Sequence, residues 1–417
     1  MSITSDAKGS DHALRQRAEA VGLGLQRAVG ALLDELGAAG VRDQKSLQGA
    51  LQLSQSAVSR LVSSVRSGDP LATLCSIPGQ EALRQMLRGA STSVGNPACL
   101  REAERAIDAF EGFVDTEIGD RTTLDAVLSD WVHESRASFE LRHKAAAFKS
   151  MSALRGVQAD VVFTTGIVHP SADPARHDCI GLDGVLGCRR TRPSGVLHLF
   201  GYTLVPEAND RITGLAGQPV SAMPDLMLRE YSTLPASAVD TVVHGGVMQT
   251  SVRGLPLGKT PLQGADLVCA QWLHGVHRAY RGDGAPTSGV GGQAEPPAAV
   301  YIVDALLHDD VWPGVSPELR LYDTVVRGVA HPDDGARGAD RLDMLEQVQY
   351  LGRGADAFRM PEYPRYAELV RHACQAAGWD PAQLRGYRCR VRYPVYGSQI
   401  GLAFTLPGAP AQPASAG

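Results

Sequence analysis

Five side chains able to ligate zinc, His169, His177, Cys179, Cys188 and His198, fall within 30 residues of one another. Structural zinc draws paired ligands from tight turns such as CxxC or HxxxH, because two donors must converge on one ion. Here the spacing is loose, and Cys188 and His198 sit in or beside strand-like runs. A metal or small-molecule sensor therefore competes with ordinary thiols and satisfied histidines, and the second reading is preferred. No metal ligand and no cofactor is assigned.

Other chemistry is close to a known pattern without completing it. Gly254-Leu255-Pro256-Leu257-Gly258-Lys259-Thr260 is one residue short of a phosphate loop. A phosphate loop needs four residues between its first glycine and the GK[ST], so that successive N–H groups wrap the phosphate. Three residues, one of them a proline without an N–H, predict a turn. Neither a GxSxG elbow nor an HExxH pair occurs, and no cysteine stands in a catalytic frame, so no catalytic residue is assigned. Asp304, His308, Asp309 and Asp310 follow an apolar run where metal-binding carboxylates are often placed, with a solvated loop as the default reading. His274 and His277, three apart beside Trp272 and Tyr280, are expected on one helix face as core packing or as a pocket wall. Arg388, Arg390 and Arg392 alternate with Cys389 and Val391, so in a strand they share one face. That face could take phosphate, nucleic acid or an acidic partner, or it could be a salt-bridged sheet surface; the pattern leaves both open.

Local pattern is strongest at Gln44–Arg66, QKSLQGALQLSQSAVSRLVSSVR. Leu47, Ala50 and Leu51 recur at helical spacing, Leu53 and Ser54 interrupt them, and Val58, Leu61, Val62 and Val65 resume it. Ser54 is placed to cap the second helix. Gln55, Ser56, Ser59, Arg60, Ser63 and Arg66 are left facing outward, with no acid among them. The segment resembles the helix-turn-helix of bacterial transcriptional regulators, above all in Leu53-Ser54-Gln55-Ser56-Ala57-Val58-Ser59-Arg60-Leu61, over roughly 23 of 417 residues. It departs from that pattern at Gln48, where a small residue is usual, and at Gln52, where the turn usually has glycine. The resemblance implies that Gln55, Ser56 and Ser59 approach base edges while Arg60 or Arg66 meets phosphate or guanine. Lys45 and Ser63 complete the candidate DNA-binding set. The implied partner is double-stranded DNA, bound by a homodimer on a pseudo-palindromic site, with a small-molecule effector possible.

A chain of 417 residues exceeds the size of one growing core, so several domains are expected. The fold class read from the pattern is multidomain: an all-α N-terminal part followed by an α+β part. The expected boundaries are 1–90 for the helix-turn-helix domain, 91–155 for a helical connector, 156–406 for an α+β effector or dimerisation domain, and 407–417 for a disordered tail. A long amphipathic stretch covers Ala13–Ala39, and helices are expected from Pro78, from Pro97 to Phe113, and from Thr122 or Thr123 toward Arg155. Beyond Gly156 strand-like runs dominate: Asp160–Val168, Gly195–Val205, Ala299–Leu307, Leu319–Val326 and Tyr387–Leu406. Helices are expected at Gly264–Tyr280 and Pro364–Ala377, and a mobile loop at Arg281–Pro297.

Net charge of -5 carries no polyelectrolyte signal. Two islands are basic: Arg42–Arg88 holds six basic against three acidic residues, and Arg136–Arg155 five against one. Seven scattered cysteines without CxxC fit reduced thiols, no signal-peptide core precedes them, and no apolar run approaches a membrane span. A cytoplasmic protein with no membrane partner is expected. The competing reading is an enzyme with its site in 156–406 and the helical part as a docking or oligomerisation module.

Overall fold

The computed structural model describes residues 3–203, 212–244, 247–258, 264–282 and 284–409. The chain divides into two compact units, Met1–Glu140 and Leu141–Gly417. The first is helical and the second is built on mixed β-sheets with helices.

The helical unit contains α1 (Ile3–Ala38), α2 (Gln44–Leu51), α3 (Gln55–Arg66), α4 (Pro70–Ser76), α5 (Gln80–Ala90), α6 (Pro97–Phe113) and α7 (Arg121–Trp131). Ala18, Leu25, Val29, Leu32 and Leu36 form the buried stripe of α1, at the three- and four-residue steps of one helix face. Pro70 and Pro97 open α4 and α6, where a missing N–H costs nothing. The single helix expected from Thr122 toward Arg155 is two. Asp120 caps α7 by accepting from Thr123 N at 2.7 Å, and the chain leaves helical geometry at Val132 before α8 (His133–Arg155).

The second unit contains β1 (Val157–Pro170), β2 (Arg176–Arg190), β3 (Leu197–Thr203), β4 (Ile212–Gly214), β5 (Val239–His244), β6 (Val247–Val252), β7 (Ala265–Arg278), β8 (Thr287–Gln293), β9 (Ala298–His308), β10 (Glu318–Tyr322), β11 (Val348–Arg353), α9 (Tyr366–Ala377), β12 (Leu384–Arg392) and β13 (Gln399–Thr405). The main sheet has seven strands in the order β11-β12-β9-β1-β2-β7-β4, parallel only between β1 and β9. Two three-stranded sheets, β10-β13-β8 and β3-β6-β5, accompany it. One face of the main sheet packs on α9 through Phe163, Ile180, Ile302, Leu369 and Val370. The other joins both small sheets in a single core that includes Val162, Tyr301, Val290, Leu402 and Met248.

Two expectations fail here. Gly264–Tyr280 is strand β7 and not a helix. Leu267, Cys269 and Leu273 pack on one face while Val268, Ala270 and Trp272 pack on the other, so both faces are apolar and the period of two is hidden. Arg281–Pro297 is not a structureless loop, because it contains β8 paired with β13. The glycines of β8 are there for close approach: a Cβ on Gly291 would lie 2.3 Å from the Ile400 carbonyl oxygen, and one on Gly289 2.8 Å from the Leu402 carbonyl oxygen. The expected strand to Val205 is β3, whose described part ends at Thr203; Leu204 and Val205, and 410–417 of the tail, lie outside the described residues. No described helix is long and apolar enough to cross a membrane.

Candidate functional sites

In the helical unit, Asp43 caps α2 by accepting from Lys45 N at 2.9 Å and Ser46 N at 3.0 Å. These hydrogen bonds from Ser46 hold the Asp43 carboxyl below the usual aspartate range. Gln52 takes the left-handed conformation, φ 55° and ψ 33°, that glycine would adopt without steric cost. For a residue with a Cβ this costs roughly 1–2 kcal/mol. Gln85 Nε2 donates to the Gln52 carbonyl at 2.6 Å, and a glycine on the neighbouring helix substitutes for a small residue in α2. A Cβ on Gly89 would lie 2.7 Å from Ala50 O, so α5 and α2 touch backbone to backbone. Ser54 then caps α3, its Oγ accepting from Ala57 N at 3.3 Å, while Leu47, Leu51, Leu53, Val58 and Leu61 turn inward.

All seven candidate DNA-binding side chains are exposed: Lys45, Gln55, Ser56, Ser59, Arg60, Ser63 and Arg66. Ser59, Ser63 and Arg66 join Arg42 and Gln44 along a groove of about 290 Å³ between α2 and α3, and no carboxylate is among its described lining. Arg60 is set apart. Its guanidinium donates to Ser76 O at 3.2 Å and Ile77 O at 3.0 Å, tying α3 to the end of α4. Much of the charge in the two basic islands is paired: Arg84 binds Glu111 and Asp108, Arg88 binds Glu81, Arg136 binds Glu140 and Lys144 binds Glu346. Lys45 and Arg66 have no ion pair among the described residues.

In the sheet unit, most of the residues that suggested chemistry are engaged in structure. Asp304 is fully buried, not on a solvated loop, and accepts from Arg388 Nε at 2.8 Å, Arg388 Nη2 at 2.7 Å and Tyr366 OH at 2.6 Å. Arg390 pairs with Glu362 at 2.5 Å, and Arg392 lies over the Tyr393 ring, so the arginine strand is largely a salt-bridged face. His308 Nε2 bonds Gln383 Oε1 at 2.6 Å, and its ring packs on His169, itself stacked on Trp379. His274 and His277 do not share a helix face. The strand bulges at Gly275, φ 58°, sending His274 to Thr213 and His277 Nδ1 to Ser288 Oγ at 2.8 Å. Burial holds His177 and His277 at pKa values of about 4, with His169 nearby lowering His177 further. Burial pushes the Cys179 and Cys188 thiols up to about 12. Among the described residues no group of three His, Cys, Asp or Glu side chains is placed to hold a metal. Gly254–Gly258 is irregular chain running beside Arg190, with Leu257 bridged to Arg190 in parallel and Arg190 N donating to Pro256 O at 2.8 Å; Lys259 and Thr260 lie outside the described residues.

A chamber that sequence pattern did not single out lies between the main sheet and β8, with a volume of about 330 Å³. Thr164 on β1, Asp183 on β2 and Gln271 on β7 project from the same sheet face, while Gln293 and Glu295 come from the far side. Registers Thr164↔Asp183 and Gly181↔Gln271 explain the gathering. Thr164 Oγ1 donates to Asp183 Oδ1 at 2.8 Å and lies 3.0 Å from Tyr301 OH. The signal present in the sequence was the glycine run Gly289, Gly291 and Gly292, which marks close backbone approach and not a loop.

Comparison of the chain with protein-family models, with curated proteins and with solved structures finds no match. The functional reading therefore rests on the two surfaces just described.

Proposed function

We propose that this chain is a DNA-binding transcriptional regulator whose α2–α3 pair reads duplex DNA, with the sheet unit sensing a ligand or holding a homodimer together. One observation carries the reading. A three-residue turn joins two capped helices, and the second presents Gln55, Ser56, Ser59, Ser63 and Arg66 to solvent beside a groove lined by no described acid. Short amide and hydroxyl side chains can reach base edges, while Lys45, Arg42 and Arg66 can anchor phosphates on either side. A single pair of this size reads few bases, so two copies on a two-fold site are the route to useful affinity. Arg60 then acts mainly by fixing α3 to α4 and not as a reader.

The test is a fluorescence titration of the full chain against random and upstream-region duplexes at two salt concentrations. Affinity is expected to fall steeply with salt. In the Lys45→Ala/Arg66→Ala variant the slope of log affinity against log salt is expected to drop by about 0.9 for each phosphate no longer neutralised. Absence of binding at low salt, or an unaltered slope in that variant, overturns the proposal.

A further inference from the structure

The chamber between β1, β2, β7 and β8 gathers polar side chains from several strands, and the charged groups among its described lining, Asp183 and Glu295, are both acidic. We propose that it binds a small primary amine in its protonated form, with Asp183 and Glu295 as the counter-charges and the Gln271 amide as the orienting group.

Size comes first. A volume of about 330 Å³ lies at the small end of the range in which proteins enclose metabolites, roughly 300–1,000 Å³. Two glycines on its border are closely packed. A Cβ on Gly166 would lie 2.6 Å from Val290 Cγ2, and one on Gly292 would lie 2.4 Å from Tyr301 OH, so at these two positions a side chain of the facing element rests directly on glycine backbone.

Charge then selects the ligand. Two carboxylates line the chamber, and no lysine or arginine is among its described lining residues. The imidazole of His277 adds no positive charge at neutral pH, since burial holds its pKa at about 4. A phosphate or carboxylate ligand would thus enter without a counter-charge, which is costly in a partly desolvated site. A cation gains charge-assisted hydrogen bonds instead.

The kind of cation follows from the walls. The described lining has no Phe, Tyr or Trp, so nothing there builds the aromatic cage that quaternary ammonium groups need, nor a stacking surface for a sugar ring. A primary ammonium carries three N–H donors, and the chamber is rich in acceptors. Asp183 is held in position by the Thr164 hydroxyl, and Glu295 Oε1 accepts from Tyr396 OH at 3.2 Å. The Gln271 side chain lies over Gly181 and makes no hydrogen bond among the described residues, so its oxygen and NH₂ are available to a bound molecule.

The inference stands apart from the DNA reading and is tested without DNA. Isothermal titration of the full chain with 1,4-diaminobutane and with n-butylamine is expected to give saturable binding for at least one of them. Choline, sorbitol and succinate serve as matched quaternary, neutral and anionic probes and are expected to bind about tenfold more weakly or not at all. Asp183→Asn and Glu295→Gln, each checked for an intact thermal transition, are expected to weaken amine binding about tenfold. Where Asp183→Asn fails to fold, Glu295→Gln and Gln271→Leu carry the test. The proposal is overturned by no saturable amine binding, by choline, sorbitol or succinate binding equally well, or by folded variants that bind as the parent does.

Discussion

Arg66 projects from the last turn of α3 into solvent with no ion pair among the described residues, while Arg388 in the middle of β12 is buried against the fully buried Asp304, its side chain 6% exposed. The residue type is the same, and the carboxylate it meets decides what it does. In the sheet unit, position on a strand brings Arg388 to Asp304, and Tyr366 and Thr165 extend the network, with Tyr366 OH 2.7 Å from Thr165 Oγ1. In the helical unit, Arg84, Arg88 and Arg121 are drawn into pairs nearer the surface, while the α2–α3 face retains cations with no acid among the described lining of its groove. A positive face therefore says more after its neighbours have been counted than its composition says before.

The contrast can be broken most sharply at Asp304. Asp304→Ala leaves the Arg388 guanidinium buried without its counter-ion, and an expected loss of about 3–5 kcal/mol follows, read from chemical denaturation. A loss below about 1 kcal/mol would mean the pair contributes as little as a surface one. A smaller effect is expected from acid. His177 and His277 ionise near pH 4 when folded, against the ordinary value of 6.5. The unfolded chain thus takes up protons that the folded chain refuses, so the stability they contribute is complete above pH 6.5 and drains away as pH falls toward 4. Urea midpoints at pH 7.5 and 4.5 should draw closer together in His177→Leu than in the parent; an identical gap refutes the assignment.

The capping of α3 can be sharpened in the same way. Ser54→Ala removes the acceptor for Ala57 N and is expected to cost about 1 kcal/mol, measurable as a shift in the thermal transition of the chain. Smallest of all is the stability change in Lys45→Ala/Arg66→Ala, within about 0.5 kcal/mol, because both side chains are exposed and neither has an ion pair among the described residues. If that double variant unfolds instead, the two cations are structural and the comparison with Arg388 collapses.

How much was legible follows the same divide. The α2–α3 pair could be read almost residue by residue, since Ser54 announces a cap and Leu47, Leu51, Val58 and Leu61 keep a helical period. The order of a helical part followed by an α+β part was equally plain from the change in texture at Gly156. The sheet interior resisted reading because burial on both faces erases alternation, as in β7. The Gly/Pro bias of Arg281–Pro297 resembled a loop because composition does not reveal that the neighbour of a glycine is another backbone. The chamber was illegible for a further reason: Thr164, Asp183, Gln271 and Glu295 span more than a hundred residues and meet only through strand register. The Arg60 contact to Ser76 and Ile77 likewise depends on where α4 ends, which no local pattern states.

Gly166 and Gly292 both border the chamber, and at each a single added methyl would press on a side chain of the facing element, Val290 or Tyr301. The chamber's shape thus depends in part on atoms the chain omits, and its chemistry on the few polar groups around it. Evolution could change what the chamber prefers by exchanging Gln271 or Glu295, yet one alanine at Gly166 is expected to displace Val290 and reshape the chamber while leaving every polar group in place. A screen for retained ligand binding would therefore find the polar rim adaptable and these two bare positions intolerant, the reverse of what side-chain chemistry alone suggests.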